Sequence, residues 1–253
     1  MESIKLIVFD LDNTLAISKT AIDEEMSELL RKLLEKKKVA VISGGSFKQL
    51  EKELLFYLSM EANLSNLHIF PSGGTAYYSW LKNEGKWAMI YQDVLSKKDK
   101  IKIMDAVSNV LSEINFDKSN IKGQLIEDKE SSLTFSGLGQ DADIDEKVKW
   151  DPDQKIRLDI KSRLDKIIPD FEIKVAGTTS IDITEKGKDK AYGIQKMVEY
   201  IKVPISEMVY VGDSLFEGGN DHPVIKTGIK VHAVKNPEDT KNIIGDILNN
   251  KNI

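Results

Sequence analysis

The chain has 253 residues, a formal net charge of −5, 30% charged and 41% hydrophobic residues, and no cysteine. Disulfides, thiolate metal sites and cysteine nucleophiles are thereby excluded, and the mild acidity argues against general binding to nucleic acid or to anionic membrane surfaces. No apolar run is long enough to span a bilayer, and the first one reads as a core strand, so a cytoplasmic protein with one large or two smaller cores is expected.

The first stretch, Ile4 to Phe9, is largely apolar and rich in β-branched residues, which predicts a buried strand. It ends on Asp10-Leu11-Asp12-Asn13-Thr14. Ligands of open α/β sheets bind at the carboxyl ends of strands. Two acids beside the Thr14 hydroxyl suit a hard cation such as Mg²⁺, which prefers oxygen ligands. Asp10 and Asp12 straddle Leu11, so both reach one ion only if the backbone turns there, one of them through its carbonyl. Taken alone, the same residues also describe an edge strand followed by an acidic turn. Met26, Leu29, Leu30, Leu33 and Leu34 then have helical spacing, with Asp23 placed to cap the helix. Val39 to Ile42 is a second buried strand, followed by Ser43-Gly44-Gly45-Ser46 and a helix carrying Phe47, Leu50, Leu54, Leu55 and Leu58. His68 to Phe70 is a third strand. This alternation predicts a parallel sheet.

The pattern then changes. Thr75 to Trp80 and Lys86 to Tyr91 read as paired strands, Ser96 to Ile114 as a helix, and Gly123 to Glu127 with Ser131 to Ser136 as a hairpin. Gln154 to Ile168 is a further helix, and Glu172 to Ala176 with Ser180 to Thr184 a second hairpin. Helix–hairpin–helix–hairpin is an α+β module, so residues 85–185 are expected to be an insertion into a core formed by 1–84 and 186–253. The α/β pattern resumes with a helix from Asp189 to Ile201, a strand from Met208 to Val211, a short strand from Ile229 to Val231, and a helix from Pro237 to Leu248.

Three turns after core elements carry chemistry. Ser43 offers a hydroxyl, and the glycines after it offer backbone N–H groups, a combination suited to an anion. Lys190 opens a helix, with Lys188 and Lys186 as nearby competitors. Gly212 to His222 places Asp213 at a strand end, where it completes an oxygen site with Asp10 and Asp12, and Asp221 further along, either as an outer acid or as a partner of Lys190. His68, His222 and His232 form no spaced cluster, so His-ligated zinc is not expected.

Asp-x-Asp-x-Thr after an apolar strand resembles motif I of the haloacid dehalogenase superfamily. That resemblance implies a Rossmann-like parallel-sheet core with an inserted α+β cap, and an aspartyl-phosphate chemistry. Asp10 would be the nucleophile, Asp12 the general acid/base, Ser43 and Lys190 the phosphoryl holders, and Asp10, Asp12 and Asp213 the Mg²⁺ ligands. The spacing of Gly212-Asp213 to Gly218-Gly219-Asn220-Asp221-His222 is similar to that of eukaryotic-type phosphomannomutases. So are Val41 to Ser46, Ser180-Ile181-Asp182, Gly187 to Tyr192 and Pro237 to Thr240. The resemblance implies substrate contacts at Thr14, Lys19, Gly44, Lys122, Lys129, Gln140, Ser180 and Asp182, supported by Asn220 and Asp221. It also implies a small phosphorylated sugar as substrate and a cap-mediated homodimer. Asn13 stands where that family usually has glycine. Lysines stand at three positions where it has arginine, and Gln140 at a fourth. Lys226-Thr227-Gly228 replaces its Thr-Asp-Pro-Arg-Thr segment. The chain holds only three arginines, at 31, 157 and 163, so lysine for arginine follows its general composition. The expected function is a phosphomannomutase-like hexose-phosphate mutase. A sugar-phosphate phosphatase and a non-catalytic phosphosugar-binding protein are the alternatives.

Overall fold

The computed structural model describes residues 4–58, 61–249 and 251. In chain order the elements are β1 (Leu6–Phe9), α1 (Glu24–Leu34), β2 (Lys38–Ile42), α2 (Phe47–Glu53), β3 (Leu67–Phe70), β4 (Ala76–Leu81) and β5 (Lys86–Gln92). There follow α3 (Lys97–Glu113), β6 (Ile126–Asp128), β7 (Ser132–Ser136), α4 (Ile144–Trp150), α5 (Lys155–Ile167), β8 (Phe171–Ala176) and β9 (Ser180–Glu185). The last part holds α6 (Lys190–Ile201), β10 (Met208–Gly212), α7 (His222–Ile225), β11 (Lys230–Ala233) and α8 (Pro237–Leu248). The chain divides into two compact units, Met1–Gln92 with Lys188–Ile253, and Asp93–Gly187.

The first unit is built on a seven-stranded sheet in the order β11-β10-β1-β2-β3-β4-β5, in which the β3–β4 and β4–β5 pairings are antiparallel and the other pairings parallel. Every residue of β1 is buried because both faces of the sheet are covered. Ile7, Phe9, Val39, Val41, Val209 and Val211 pack with α1, α2 and α8. Their neighbours Leu6, Val8, Ala40, Ile42, Met208 and Tyr210 pack with α6 on the opposite face. Each such apolar side chain contributes roughly 1.5–3 kcal/mol on full burial, which makes β1 the least replaceable strand of this unit. From β1 the chain proceeds to β2 on one side and returns as β10 on the other, so a topological switch point lies at the carboxyl end of β1.

The second unit is a four-stranded antiparallel sheet, β6-β7-β9-β8. Leu133, Phe135, Ile173, Ile181 and Ile183 line one face and pack with Ile103, Val107 and Val110 of α3 and with Ile160 and Leu164 of α5. Alternation along the strands puts Ser132, Thr134, Ser136, Ser180 and Asp182 on the other face.

Several elements depart from the sequence expectation. β5 pairs with β4, and β4 with β3, so the hairpin expected at the edge of the insertion extends the main sheet. The first unit therefore runs to Gln92 rather than to residue 84, and the second ends at Gly187 rather than 185. The helix expected to reach Leu58 breaks at Leu54, whose φ of −123° and ψ of −62° are not helical, and continues as a 3₁₀ turn over Leu55–Tyr57. α4 and α7 carry too little apolar periodicity to be seen in the sequence. β11 lies one residue later at its start and two later at its end than the strand expected over 229–231. Among the described residues, no helix is long and apolar enough to cross a membrane.

Candidate functional site

The parallel register brings three strand ends together. Phe9 of β1 aligns with Val41 of β2 and with Val211 of β10. Asp10, Ser43 and Asp213 therefore leave neighbouring strands within one or two residues of the same level. The Asp10 N–H still donates to the Val211 carbonyl at 3.0 Å, so Asp10 is fixed by the sheet even though it lies past β1. Asp10 is buried, and so are Thr14, Ser43, Lys190 and Asp221.

Lys190 is the first residue of α6, whose N-cap Asp189 accepts the N–H groups of Ala191 and Tyr192. A cation there faces the positive end of the helix dipole and has also lost water, two penalties that need offsetting. The offset is a pair of carboxylates. Lys190 Nζ donates to Asp10 Oδ1 and to Asp221 Oδ1, each at 2.5 Å. Burial alone would pull the Lys190 ammonium down, but Asp10 and Asp221 outweigh it and raise its pKa. Asp10 is pushed up to about 7, first by burial, which Lys190 opposes and Asp221 and Asp213 reinforce. Thr14 Oγ1 donates to Asp10 Oδ2 at 3.5 Å.

Asp221 is also held by the Ser214 N–H at 3.0 Å and by the Tyr210 hydroxyl at 2.5 Å. Gly212 makes this packing feasible, because a Cβ there would collide with the Asp221 carboxylate and the Tyr210 ring. Tyr210 is the one member of this cluster that no sequence motif picks out. Its signal in the sequence is a single polar atom within the otherwise apolar Met208-Val209-Tyr210-Val211.

Asp10, Asp213 and Asp221 each present a carboxylate oxygen within 4.8 Å of the others. With all three ionised, the carboxylates against the Lys190 ammonium leave two negative charges, which a divalent cation would balance. The donors are all oxygen, which fits a hard ion. Asp213 is half-buried, and its pKa is raised by that burial and by Asp221, so extra positive charge would relieve it. The acidic group fits a metal ion.

Asp12 lies outside that carboxylate group. Its Oδ1 accepts the backbone N–H of Lys19 at 3.1 Å, which directs the side chain along the loop after β1. Lys19 itself is exposed and has φ of +63°. Asn13 has φ of +55°, the left-handed region that glycine enters freely and asparagine tolerates. The asparagine adds what glycine would lack: its side chain bonds Asp213, and its Oδ1 accepts the Ser18 N–H at 3.3 Å. At the end of β2, Ser43 Oγ accepts the Gly45 N–H at 3.0 Å, while the Ser43 N–H is taken by the Phe70 carbonyl. Gly44 stands in open space. Asn220 is exposed on the loop before Asp221.

In the second unit, Lys129 lies 3.8 Å from Asp182 and 3.9 Å from Glu127, and Thr134 donates to Asp182 at 2.5 Å. Ser180 opens β9 opposite Ser136. Lys122, by contrast, is exposed and already neutralised by Asp143 at 2.9 Å and Glu146 at 2.8 Å. The side-chain Nε2 of Gln140 is buried without a hydrogen-bond partner.

Nearly the whole chain is similar to known proteins in sequence and in fold. Residues 26–250 match the family model described as eukaryotic phosphomannomutase. The phosphomannomutase of Saccharomyces cerevisiae is 26% identical over 250 residues, covering 96% of this chain and 94% of its own. Phosphomannomutase 2 of Dictyostelium discoideum is 27% identical over 254 residues, covering 96% of each. Among solved structures, an N-terminally truncated IMP-nucleotidase of Plasmodium falciparum superposes with a TM-score of 0.71 at 17% identity over 97% of this chain and 70% of that one. A haloacid dehalogenase-like hydrolase from Bacteroides thetaiotaomicron superposes with a TM-score of 0.58 at 16% identity, over 97% of this chain and all of that one. These two show the fold: a Rossmann-like haloacid dehalogenase core with a cap. By its match over nearly its whole length, the chain belongs to the eukaryotic phosphomannomutase family of phosphotransferase enzymes.

Proposed function

We propose that the chain is a Mg²⁺-dependent hexose-phosphate mutase that interconverts mannose 1-phosphate and mannose 6-phosphate through an aspartyl-phosphate. The observation that carries this reading is the ion pair between Asp10, buried at the end of the central strand, and Lys190, forced into the unfavourable first turn of α6. In the proposed reaction an Asp10 carboxylate oxygen attacks phosphorus, and the bond from phosphorus to the sugar oxygen breaks. Asp12 gives its proton to the departing oxygen and later removes one from the hydroxyl that takes the phosphoryl group. Lys190 and the Ser43 hydroxyl stabilise the phosphoryl oxygens as charge moves onto them. Asp10, Asp213 and the Asp12 carbonyl would hold Mg²⁺, and the bound ion would supply charge neutralisation at the phosphoryl group. Sugar recognition is assigned to the polar sheet face of the second unit, through Lys129, Ser180 and Asp182. Lys129 is the stronger candidate for a phosphate contact, because Lys122 is hydrogen-bonded to two acids at 2.8–2.9 Å whereas Lys129 stands 3.8–3.9 Å from its two.

A sugar-phosphate phosphatase is the second reading, favoured by Gln140 and by the spent charge of Lys122, which weaken the grip on a second phosphate. One assay separates the two. Purified protein with Mg²⁺, mannose 1-phosphate and a hexose bisphosphate yields mannose 6-phosphate if it is a mutase, whereas release of inorganic phosphate alone rejects that reading. Asp10→Asn is expected to lower turnover by at least about a thousandfold in either case. Unchanged turnover in a contaminant-free preparation would remove the aspartyl-phosphate mechanism.

A further inference from the structure

Tyr210 carries a hydroxyl that its strand does not need. Its ring lies in the apolar layer with Leu6, Val8, Ile194 and Met197, a space that phenylalanine would fill as well. Tyr210 is among the largest fully buried side chains. A buried hydroxyl without a partner costs about 1–3 kcal/mol, so its presence here has to be accounted for by what it touches. It touches two groups. The hydroxyl donates to Asp221 Oδ1 at 2.5 Å and accepts a longer hydrogen bond from Lys190 Nζ at 3.4 Å. The same Asp221 oxygen takes the Lys190 ammonium, and the other takes the Ser214 N–H. Asp221 is completely buried and is pinned on both oxygens. Lys190 in turn reaches Asp10 from that anchor. The path runs Tyr210 to Asp221 to Lys190 to Asp10, each link a hydrogen bond in a dry environment where a misplaced charge is costly.

We propose that Tyr210 is a positioning residue of the phosphoryl-transfer site: its hydroxyl fixes the Asp221 carboxylate, which aims the Lys190 ammonium at Asp10. This rests on the phosphotransferase reading given above. The hydroxyl has no hydrogen bond to Asp10, and it acts chiefly through Asp221, its short partner. Without it, Asp221 Oδ1 keeps one donor instead of two, and the Lys190 ammonium gains freedom at the moment when charge develops on the phosphoryl oxygens. The loss therefore falls on the chemical step and not on the binding of the sugar.

The test compares wild type, Tyr210→Phe, Asp221→Asn and the double variant. Turnover of mannose 1-phosphate with Mg²⁺ and a hexose bisphosphate is measured by product formation and phosphate release, with thermal unfolding of each protein. Tyr210→Phe is expected to lower kcat about tenfold, the loss of one hydrogen bond to a charged group, with KM within about twofold of wild type. In the Asp221→Asn background the same change is expected to cost less than about twofold, because the short hydrogen bond of the hydroxyl is to that carboxylate and its direct contact with Lys190 is long, at 3.4 Å. A kcat for Tyr210→Phe within about twofold of wild type overturns the proposal and leaves the phosphotransferase reading standing. Penalties that multiply in the double variant do the same. Absence of turnover in wild type, or turnover indifferent to Asp10→Asn, removes the parent reading and this proposal with it. If Tyr210→Phe unfolds too readily to assay, 4-fluorophenylalanine at position 210 fills the hydroxyl's volume with a far weaker polar group and is held to the same outcomes.

Discussion

Asn13 and His68 show how much a single residue can depend on its surroundings. Asn13 stands where the related family usually has glycine, and its φ of +55° explains that usage. The asparagine side chain converts the same turn into a support for Asp213. His68, in β3, is buried among aromatic rings, with Nδ1 bonded to the Tyr77 hydroxyl at 2.8 Å and Nε2 unpartnered. Burial, with a smaller push from Lys38, lowers its pKa to about 4 from 6.5. The folded state therefore resists protonation that the unfolded chain accepts. Stability from this residue is complete above pH 6.5 and is lost as pH falls toward 4. The whole effect is about 3 kcal/mol. Asp10, raised to about 7, adds stability as pH falls over the same range, so urea unfolding between pH 7 and 4 is expected to show the His68 loss as a difference between wild type and a His68 variant. His68→Asn, which keeps a polar partner for Tyr77, is expected to remove that loss. The same pH dependence in the variant would place the acid sensitivity elsewhere.

Elements in this chain are set by caps and ion pairs where periodicity is weak. α5 begins after Gln154, which sits at φ of +60° and gives no side-chain cap. Asp151 takes over, accepting the N–H groups of Ile156 and Arg157 at 3.1 Å each and the Arg157 Nε at 2.9 Å. The guanidinium continues to the Gly177 carbonyl at 2.7 Å, which ties α5 to the β8–β9 turn. Arg157 and Asp151 are both buried. Removing one partner of such a pair leaves an uncompensated charge, so Arg157→Met is expected to cost about 3–5 kcal/mol. Chemical denaturation would read this as a lower midpoint, and a cost under about 1 kcal/mol would show that the pair adds little. At the other end of the chain, α1 and α8 are joined by Lys241, whose ammonium meets Asp23, Glu25 and Glu238 at 2.7–2.8 Å. Those acids are exposed, so that cluster is worth far less than the buried pair.

At the scale of the molecule, the insertion is a folding unit with its own apolar core between α3, α5 and the four-stranded sheet. Residues 93–187 expressed alone are expected to unfold in one cooperative transition, and loss of cooperative unfolding in that fragment would show that its core depends on the rest of the chain. The fold class follows from local pattern. Apolar runs of strand length alternating with amphipathic helices have few solutions other than a covered parallel sheet, and a change to hairpins within that pattern reveals an insertion. Asp10, Asp213 and Lys190, which the structure gathers near one another, stand out in the sequence for the same reason: they lie at the ends or starts of elements whose type the local pattern declares. Long-range pairing decided the rest. β5 joins the main sheet because β4, itself paired with β3, offers it an edge, a choice that its own residues do not record. Lys122 loses its free charge to α4, a helix with too little periodicity to be foreseen. Asp221 meets Lys190 across 31 residues and Asp10 meets Lys190 across 180, and Tyr210 enters that contact because strand alternation turns it toward α6. Sequence specifies which side chains stand at strand ends. Only the packed sheet, by fixing register and the direction of each side chain, decides which of them share a buried, hydrogen-bonded cluster.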